Sequence, residues 1–432
     1  MKVLLVSHTC FSTYNNMGKT FLTLFSSFRK EELCQLYIYP SLPDVDVCES
    51  YYRVTDKEML KSLCSFAKPG GVLEFSVPES GKTAEWDDPS DAAIYRNKRN
   101  STPVIRLLRD AMWKIGCWYT PALRRWVEEQ KPDCVFLAPG YAGFIYDIAI
   151  RISRDYHLPI AVYICDDYYF VRKPDNLIGR WQLVRLRKKT DLLMHQAKRL
   201  VTISEEMKTA YSGYFKIPTD VVMTGAEREC LKETVHNESS RVIAYFGNLA
   251  RNRVDSVAEI GRLLDRLNEE KGLLCELRLY TPELDEQMRR GMENIQSVRL
   301  MKFVQGAALA QAMGEADVLL HTEAFDAENA DLVKYSVSTK IADSLASGIP
   351  LLAYGPENVA SMAHLIRNDC AIVATSKEDL PEALKTALFD GDRRRTVSEN
   401  AMQTAKKYHQ KEQNSRKLRQ ILELVQENHC HE

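Results

Sequence analysis

The sequence predicts an α/β protein built from two parallel-sheet domains, and three observations carry that prediction. The chain has 432 residues, more than one ordinary core holds. Short apolar runs of strand length alternate with longer amphipathic stretches from end to end, the rhythm of parallel strands covered by helices on both faces. A polar break at residues 213–240, with Pro218, Gly225 and the run His236-Asn237-Glu238-Ser239-Ser240, separates two such patterns. Sheets of this kind bind ligands beyond the carboxyl ends of their strands, so the residues that follow each strand matter most for function.

Strands are expected in the first half at Val3–Ser7, Cys134–Ala138, Ile160–Cys165 and Leu200–Ser204. In the second half they are expected at Val242–Phe246, Glu276–Tyr280, Val298–Phe303, Val318–His321, Pro350–Tyr354 and Ala371–Ala374. Residues 45–100 are irregular, and Gly70-Gly71, Pro78 and Trp86-Asp87-Asp88-Pro89 read as loops. A charged helix is expected from about Asp392 to Glu427, with Leu418, Ile421, Leu422 and Leu424 spaced to pack back on the first domain. The domains are placed at 1–228 and 229–408, with 409–432 as the returning helix.

Composition narrows the function classes. Apolar residues make up 45% and charged residues 27%, as in ordinary globular proteins. The net charge of −1 gives no overall field to recruit nucleic acid. Eleven cysteines without a C-x-x-C pair read as free thiols in a reducing compartment. The tail His429-Cys430-His431 has metal-binding residue types but no partner cluster, so no metal is expected. The apolar run after Lys2 is only strand length, and no run approaches the roughly 20 residues of a membrane-spanning helix. A cytoplasmic location is expected, with the inner face of the membrane as a candidate surface.

Two basic segments support that surface. Residues 96–126 hold eight Lys or Arg against Asp110, interleaved with Trp113, Trp118, Tyr119 and Trp126. Residues 172–199 hold nine against Asp175 and Asp191. Both suit an anionic membrane or a lipid-phosphate substrate. The alternative is a pair of solvated amphipathic helices whose aromatics face the core.

Several strand ends carry candidate chemistry. His8 follows the first strand, and Gly18-Lys19-Thr20 lies soon after. Thr13 stands where a P-loop needs glycine, so this is read as a loop hinged at Gly18, or else an ordinary strand–helix turn. Asp166 and Asp167 follow the strand ending at Cys165, where a base or a hydroxyl-binding carboxylate belongs; helix capping is the alternative for Asp167. Ser204-Glu205-Glu206 reads as a helix cap. In the second half, Gly247-Asn248-Leu249 and Arg253 follow a strand. Glycine allows close backbone approach, and arginine offers a fork for phosphate oxygens. Ser338-Thr339-Lys340 opens a helix, presenting backbone N–H groups and a cation to a diphosphate, with Asp343 one turn on toward a sugar hydroxyl. The two motifs are expected to converge on one anion.

These motifs, with His321-Thr322-Glu323, Leu345-Ala346-Ser347-Gly348-Ile349-Pro350 and Tyr354-Gly355-Pro356, resemble the nucleotide-binding half of GT-B glycosyltransferases. They look most like bacterial surface-polysaccharide enzymes of the retaining group related to glycogen and sucrose synthases. The resemblance is sharp over residues 242–360. It implies two Rossmann-like domains facing across a cleft, the last helix returning to the first domain, which would bind the acceptor. It places Arg253 and Lys340 on the diphosphate of a nucleotide-sugar donor. Gly247, Asn248, Ser338 and Thr339 would lie around the donor, and Asp343 on the ribose. Where many such enzymes carry a first glutamate, this chain has Tyr335.

The implied reaction moves a sugar to a hydroxyl of a saccharide or lipid-linked acceptor, with no cofactor beyond the donor. Arg253, Lys340 and the helix start would stabilise the leaving diphosphate. If the reaction inverts, Asp166 is the candidate base; His8, Gly18 and Asp167 would line the cleft. A nucleotide-sugar epimerase and a non-catalytic nucleotide-sugar-binding protein are the competing readings. A dinucleotide oxidoreductase is disfavoured because no G-x-G-x-x-G follows a strand.

Overall fold

The computed structural model describes residues 1–65, 67–74, 102–170, 176–226, 240–282 and 284–430. The chain divides into two units, one of Met1–Val222 with Lys411–Glu432 and one of Met223–Gln410. Each is a mostly parallel sheet with helices.

In the first unit the described strands are β1 (Val3–Ser7), β2 (Leu33–Tyr37), β3 (Ser50–Arg53), β4 (Gly71–Val72), β5 (Cys134–Leu137), β6 (Ile160–Ile164), β7 (Arg199–Thr202) and β8 (Thr219–Val221). Their order is β4-β3-β2-β1-β5-β6-β7-β8, parallel except for the β3–β4 pair. The order reverses direction between β1 and β5, which makes that gap the topological switch point. β1, β5 and β6 are buried along their whole length, as parallel strands covered on both faces require.

Three sequence expectations need correction here. β2 was not foreseen, because Gln35 interrupts its apolar run. Gln35 is fully buried, donates to Ser7 Oγ and the Thr9 carbonyl (both 2.9 Å), and accepts from the Phe11 amide, so the polar side chain ties β2 to the chain leaving β1. Residues 45–74 are more regular than expected. They hold β3, β4 and the helix Asp56–Cys64, which starts from a reciprocal Thr55–Glu58 capping box. The expected loop at Gly71 is the two-residue edge strand β4. Pro78 and Trp86–Pro89 lie outside the described residues.

The final charged stretch is two helices, Gly391–Tyr408 and Lys411–Cys430, rather than one. The second packs in the first unit. Leu418, Ile421, Leu422 and Val425 share a core with Val3, Leu5, Phe21 and Phe136, whereas Leu424, expected among them, is 41% exposed. Arg419 fixes this helix by donating to both Glu32 oxygens and the Ser27 carbonyl, over the Phe28 ring.

The second unit holds β9 (Val242–Phe246), β10 (Glu276–Tyr280), β11 (Val298–Met301), β12 (Val318–Thr322), β13 (Leu351–Tyr354) and β14 (Ile372–Ala374). All pairs are parallel in the order β11-β10-β9-β12-β13-β14, and the order reverses between β9 and β12. β9 and β10 match their expected bounds residue for residue.

Both chain passages at the edge of this unit are tied together. The Ala226 amide donates to the His409 carbonyl, and His409 Nδ1 donates to the Thr224 carbonyl at 2.9 Å. His409 Nε2 must then accept, so His364 Nε2–H donates to it across 3.1 Å, and His364 Nδ1 faces the Asn368 amide. This wiring needs both rings neutral. Burial pushes His409 down to about 4; burial, then the neighbouring His409 and Arg367, pushes His364 down to about 3. In the unfolded chain both titrate near 6.5. The unfolded state therefore binds more protons between those values, and stability must fall as pH drops below about 6.5. Each histidine contributes a slope of about 1.4 kcal/mol per pH unit until its folded pKa is reached. Urea unfolding followed from pH 7.5 to 5 should show this loss, with a shallower slope in His364→Asn. Equal slopes in the two proteins would contradict the wiring.

Candidate functional site

The site lies at the β9–β12 switch point of the second unit. β9 ends at Phe246, and Gly247 leaves it at φ 141°, a conformation L side chains rarely adopt. A Cβ built on Gly247 would sit 1.9 Å from Lys340 Nζ. Gly247 is thus the residue over which the Lys340 ammonium passes, and any side chain there would displace it. Arg251 and Asn252, both at positive φ, turn the chain into the helix Arg253–Lys271, with Arg253 as its first residue.

Lys340 comes from the other side of the sheet gap. It is the second residue of the helix Thr339–Ala346, whose N-cap Ser338 makes no side-chain cap bond. Instead the Ser338 amide donates to Ser361 Oγ at 3.0 Å, fixing the approach to the helix. The helix start is therefore uncapped by its own side chain, which leaves its positive end to a ligand. Gly348, at φ 76°, turns the chain toward β13.

Between these elements stand two residues the sequence reading did not assign a role, His321 and Glu323. Glu323 is 3% exposed and takes Arg253 Nε (2.9 Å) and Nη2 (2.6 Å) on a single oxygen. Arg253 Nε also reaches the Thr322 carbonyl at 3.2 Å. The other Glu323 oxygen is 3.5 Å from His321 Nε2, which is buried without a hydrogen-bond partner among the described residues. Arg253, His321, Glu323, Ser338 and Lys340 line one cavity. Burial pushes the His321 pKa down to about 4; Glu323 opposes this, while Arg253 and Lys340 reinforce it, so the ring is neutral at pH 7. Lys340 as a residue is exposed, but its amine end is crowded against Gly247. That desolvation, with the Arg253 charge, pushes its pKa down to about 8, against the pull of Glu323.

The two motifs do converge, with a modification. Arg253 was expected to face the diphosphate as an open fork, but the buried Glu323 carboxylate already occupies part of that fork. Lys340 is the cation placed over glycine at an uncapped helix start. Asn248 is exposed and contributes its carbonyl to Tyr245 Oη at 2.7 Å; Thr339 is exposed and Asp343 half-buried one turn further on. Tyr335, at the position of the absent glutamate, lies under the Lys334 ammonium. The signal for Glu323 and His321 was their place at the end of β12, between the two motif-bearing strands.

Residues 258–422 match the family model described as glycosyl transferase-like. Sucrose-phosphate synthase from Thermosynechococcus elongatus superposes with a TM-score of 0.61 at 9% identity, over 98% of this chain and 99% of that one. The Anabaena protein HepE in complex with UDP gives 0.61 at 12%, over 98% and 100%. The UDP-forming α,α-trehalose-phosphate synthase of Burkholderia xenovorans, in complex with glucose 6-phosphate, gives 0.62 at 10%, over 98% and 100%. The protein has the GT-B fold. A comparison with curated protein sequences found no match.

In the first GT-B unit the candidates separate. Gly18 is no loop hinge: it lies inside the helix Asn16–Leu24, capped by Asn15, and packs so tightly on Ser12 that a Cβ would come within 2.7 Å. Asp167 is structural. It is 5% exposed and accepts from the Tyr169 and Phe170 amides and from Tyr211 Oη at 2.7 Å. Asp166 is exposed at the end of β6, and the His8 ring lies against Gly140 after β5. Ser204 caps its helix through the Met207 amide at 3.0 Å, as expected.

Of the basic segments, Arg96, Lys98, Arg99, Arg172, Lys173 and Asp175 lie outside the described residues. Trp113 and Trp126 are buried, so those aromatics do face the core. The helices Pro103–Ile115 and Leu177–Gln196 nevertheless expose Val104, Ile105, Leu108, Leu177, Trp181 and Val184. Among the described residues no helix is long and apolar enough to cross a membrane, and no three His, Cys, Asp or Glu side chains group as metal ligands. His431 lies outside them.

Gly247→Ala tests the central contact. The positive φ should cost roughly 1–3 kcal/mol of stability. The displaced ammonium should lower affinity for a nucleoside diphosphate at least tenfold in protein that remains folded. Calorimetric titration with UDP checks this, and wild-type affinity in the folded variant would contradict the assignment.

Proposed function

We propose that the protein transfers a sugar from a nucleoside diphosphate to an acceptor hydroxyl. The observation that carries this reading is the Lys340 ammonium held over Gly247 at an uncapped helix start, on the carboxyl edge of a GT-B sheet. The difficult step is charge build-up on the departing diphosphate. A preorganised cation and backbone N–H groups at that point stabilise it without reorganisation. UDP, bound in the HepE structure and part of the name of the UDP-forming synthase, is the first nucleotide to try. UDP-glucose, bound in another HepE structure, is the first sugar donor.

Glu323 gives Arg253 a role different from that of Lys340. Removing Arg253 would leave a buried carboxylate unpaired, a loss of about 3–5 kcal/mol in comparable buried pairs, so its effect on activity would mix with its effect on folding. Lys340 has no such counterpart fixed to it among the described residues and reports on the donor more cleanly. Asp343 would take the ribose, and Asp166 is the base if the anomeric configuration inverts. With retention, the donor phosphate itself would take the acceptor proton. We propose retention on the resemblance of the donor motifs, and metal-independent transfer because the site supplies its own cations.

The acceptor is proposed to be a saccharide or a lipid-linked saccharide used in surface-glycan synthesis. The exposed apolar side chains on the two basic helices of the first unit favour an acceptor presented at an anionic membrane surface.

Incubation with a panel of nucleotide sugars, reading released nucleotide with and without saccharide acceptors, tests the reaction. Lys340→Ala should lower kcat/KM for the active donor by a factor on the order of 30–1,000, equivalent to about 2–4 kcal/mol of lost transition-state stabilisation. Turnover at the wild-type rate would contradict it. Conversion of the donor sugar with no acceptor would favour the epimerase reading. Donor binding without turnover on any acceptor would favour a binding protein.

A further inference from the structure

The first unit contains a second built cavity, also beside its switch point. It has a volume of about 320 Å³, at the lower end of the roughly 300–1,000 Å³ of small-molecule sites. Three helices form it: Pro103–Ile115, Gly143–Tyr156 and Leu177–Gln196. Helix Gly143–Tyr156 follows β5, and its N-cap Ala142, in the cavity lining, provides no side-chain cap. Its positive end therefore adds to the local field.

Among the described residues, four cations line the cavity against a single carboxylate, Asp110. Three of them are held in place. Arg109 Nε rests on both Asp56 oxygens (2.9 and 3.0 Å), with its guanidinium 4.8 Å above the Phe144 ring. Lys189 Nζ donates to the Gly143 carbonyl at 3.0 Å and pairs with Asp147. Arg185 lies over the Trp181 ring at 4.6 Å. Arg106 completes the set. Counting Asp56, Asp110 and Asp147, the surround keeps a positive excess. Burial raises the Asp110 pKa despite the nearby Lys189, Arg109 and Arg185, which weakens the carboxylate in the lining.

We propose that this cavity binds a phosphate group, and that the group belongs to the acceptor. Guanidinium groups fixed by stacking and pairing are suited to planar, multidentate recognition of phosphate, with little side-chain entropy left to lose on binding. Neutral groups stand beside them for sugar hydroxyls. Gln182 donates Nε2 to the Pro103 carbonyl, which turns its amide within the lining, and Tyr141 lies edge-on to Tyr168. The exposed Leu108, Leu177 and Trp181 on the same helices would accommodate an apolar tail. The same phosphate chemistry thus fits a soluble sugar phosphate or a lipid headgroup. The acceptor assignment rests on the transferase reading; the phosphate assignment does not.

The test uses the full chain with two probes. Glucose 6-phosphate should bind at least tenfold tighter than glucose by calorimetry. Alternatively, vesicles containing phosphatidylglycerol should sediment the protein where phosphatidylcholine vesicles do not. The first outcome names a soluble phosphate, the second a lipid headgroup. In Arg106→Gln/Arg185→Gln the observed binding should fall at least tenfold, with UDP affinity unchanged because those residues lie outside the donor site. The proposal is overturned if neither probe binds, or if the double variant binds both as wild type does. Arginine-dependent phosphate binding in a protein that binds neither UDP nor any nucleotide sugar would keep the cavity and reject the transferase reading.

Discussion

The second unit is organised around one close approach, the Lys340 ammonium lying on Gly247. Neither residue reaches the other through the chain. Gly247 follows β9, Lys340 is the second residue of the helix before β13, and β12 lies between those strands in the sheet. Parallel pairing brings the three carboxyl ends to one edge, and the reversal of strand order opens the gap the ammonium fills. Without the glycine the cation has no room, and without the cation the uncapped start of helix Thr339–Ala346 offers partial charges alone.

Arg253, Glu323 and His321 make the wall of the same gap. A buried carboxylate needs a partner, and Arg253 provides it through two N–H groups on one oxygen. Ser256 Oγ donates to the Glu323 carbonyl at 2.9 Å, and the Glu323 amide donates to the Tyr354 carbonyl at 3.0 Å, so the residue is fixed at backbone and side chain. The result is a rigid, charged wall beside one crowded lysine. That division separates the two cations: the arginine neutralises the protein's own acid, and the lysine is the one proposed to meet an incoming anion.

Much of this was legible in the sequence. β9 reads to the residue because Val242–Phe246 is an apolar run bounded by polar residues, and β10 because Leu277 and Leu279 alternate with Glu276 and Arg278. Gly247 and Lys340 read as site residues because glycine after a strand and a cation at a helix start have few other uses. The remainder depended on contacts distant in sequence. Gln35 disguised β2, since its partners Ser7 and Thr9 lie at and just beyond the end of another strand. Asp167, read as a cleft acid or a helix cap, is held by Tyr211, 44 residues away. The Arg253–Glu323 pair spans 70 residues and arises from the adjacency of β9 and β12, which no local pattern displays. Gly18 read as a loop hinge or an ordinary strand–helix turn, whereas here the glycine lets a helix pack on Ser12.

The central claim is that the Gly247–Lys340 gap receives the phosphates of a nucleotide rather than some other anion or no ligand. The most direct measurement is calorimetric titration of the wild-type protein with UDP and UMP at pH 7, where Lys340 is largely protonated. A second phosphate reaching the ammonium predicts UDP affinity at least tenfold above that of UMP. Equal affinities, or no binding of either nucleotide, would contradict the account.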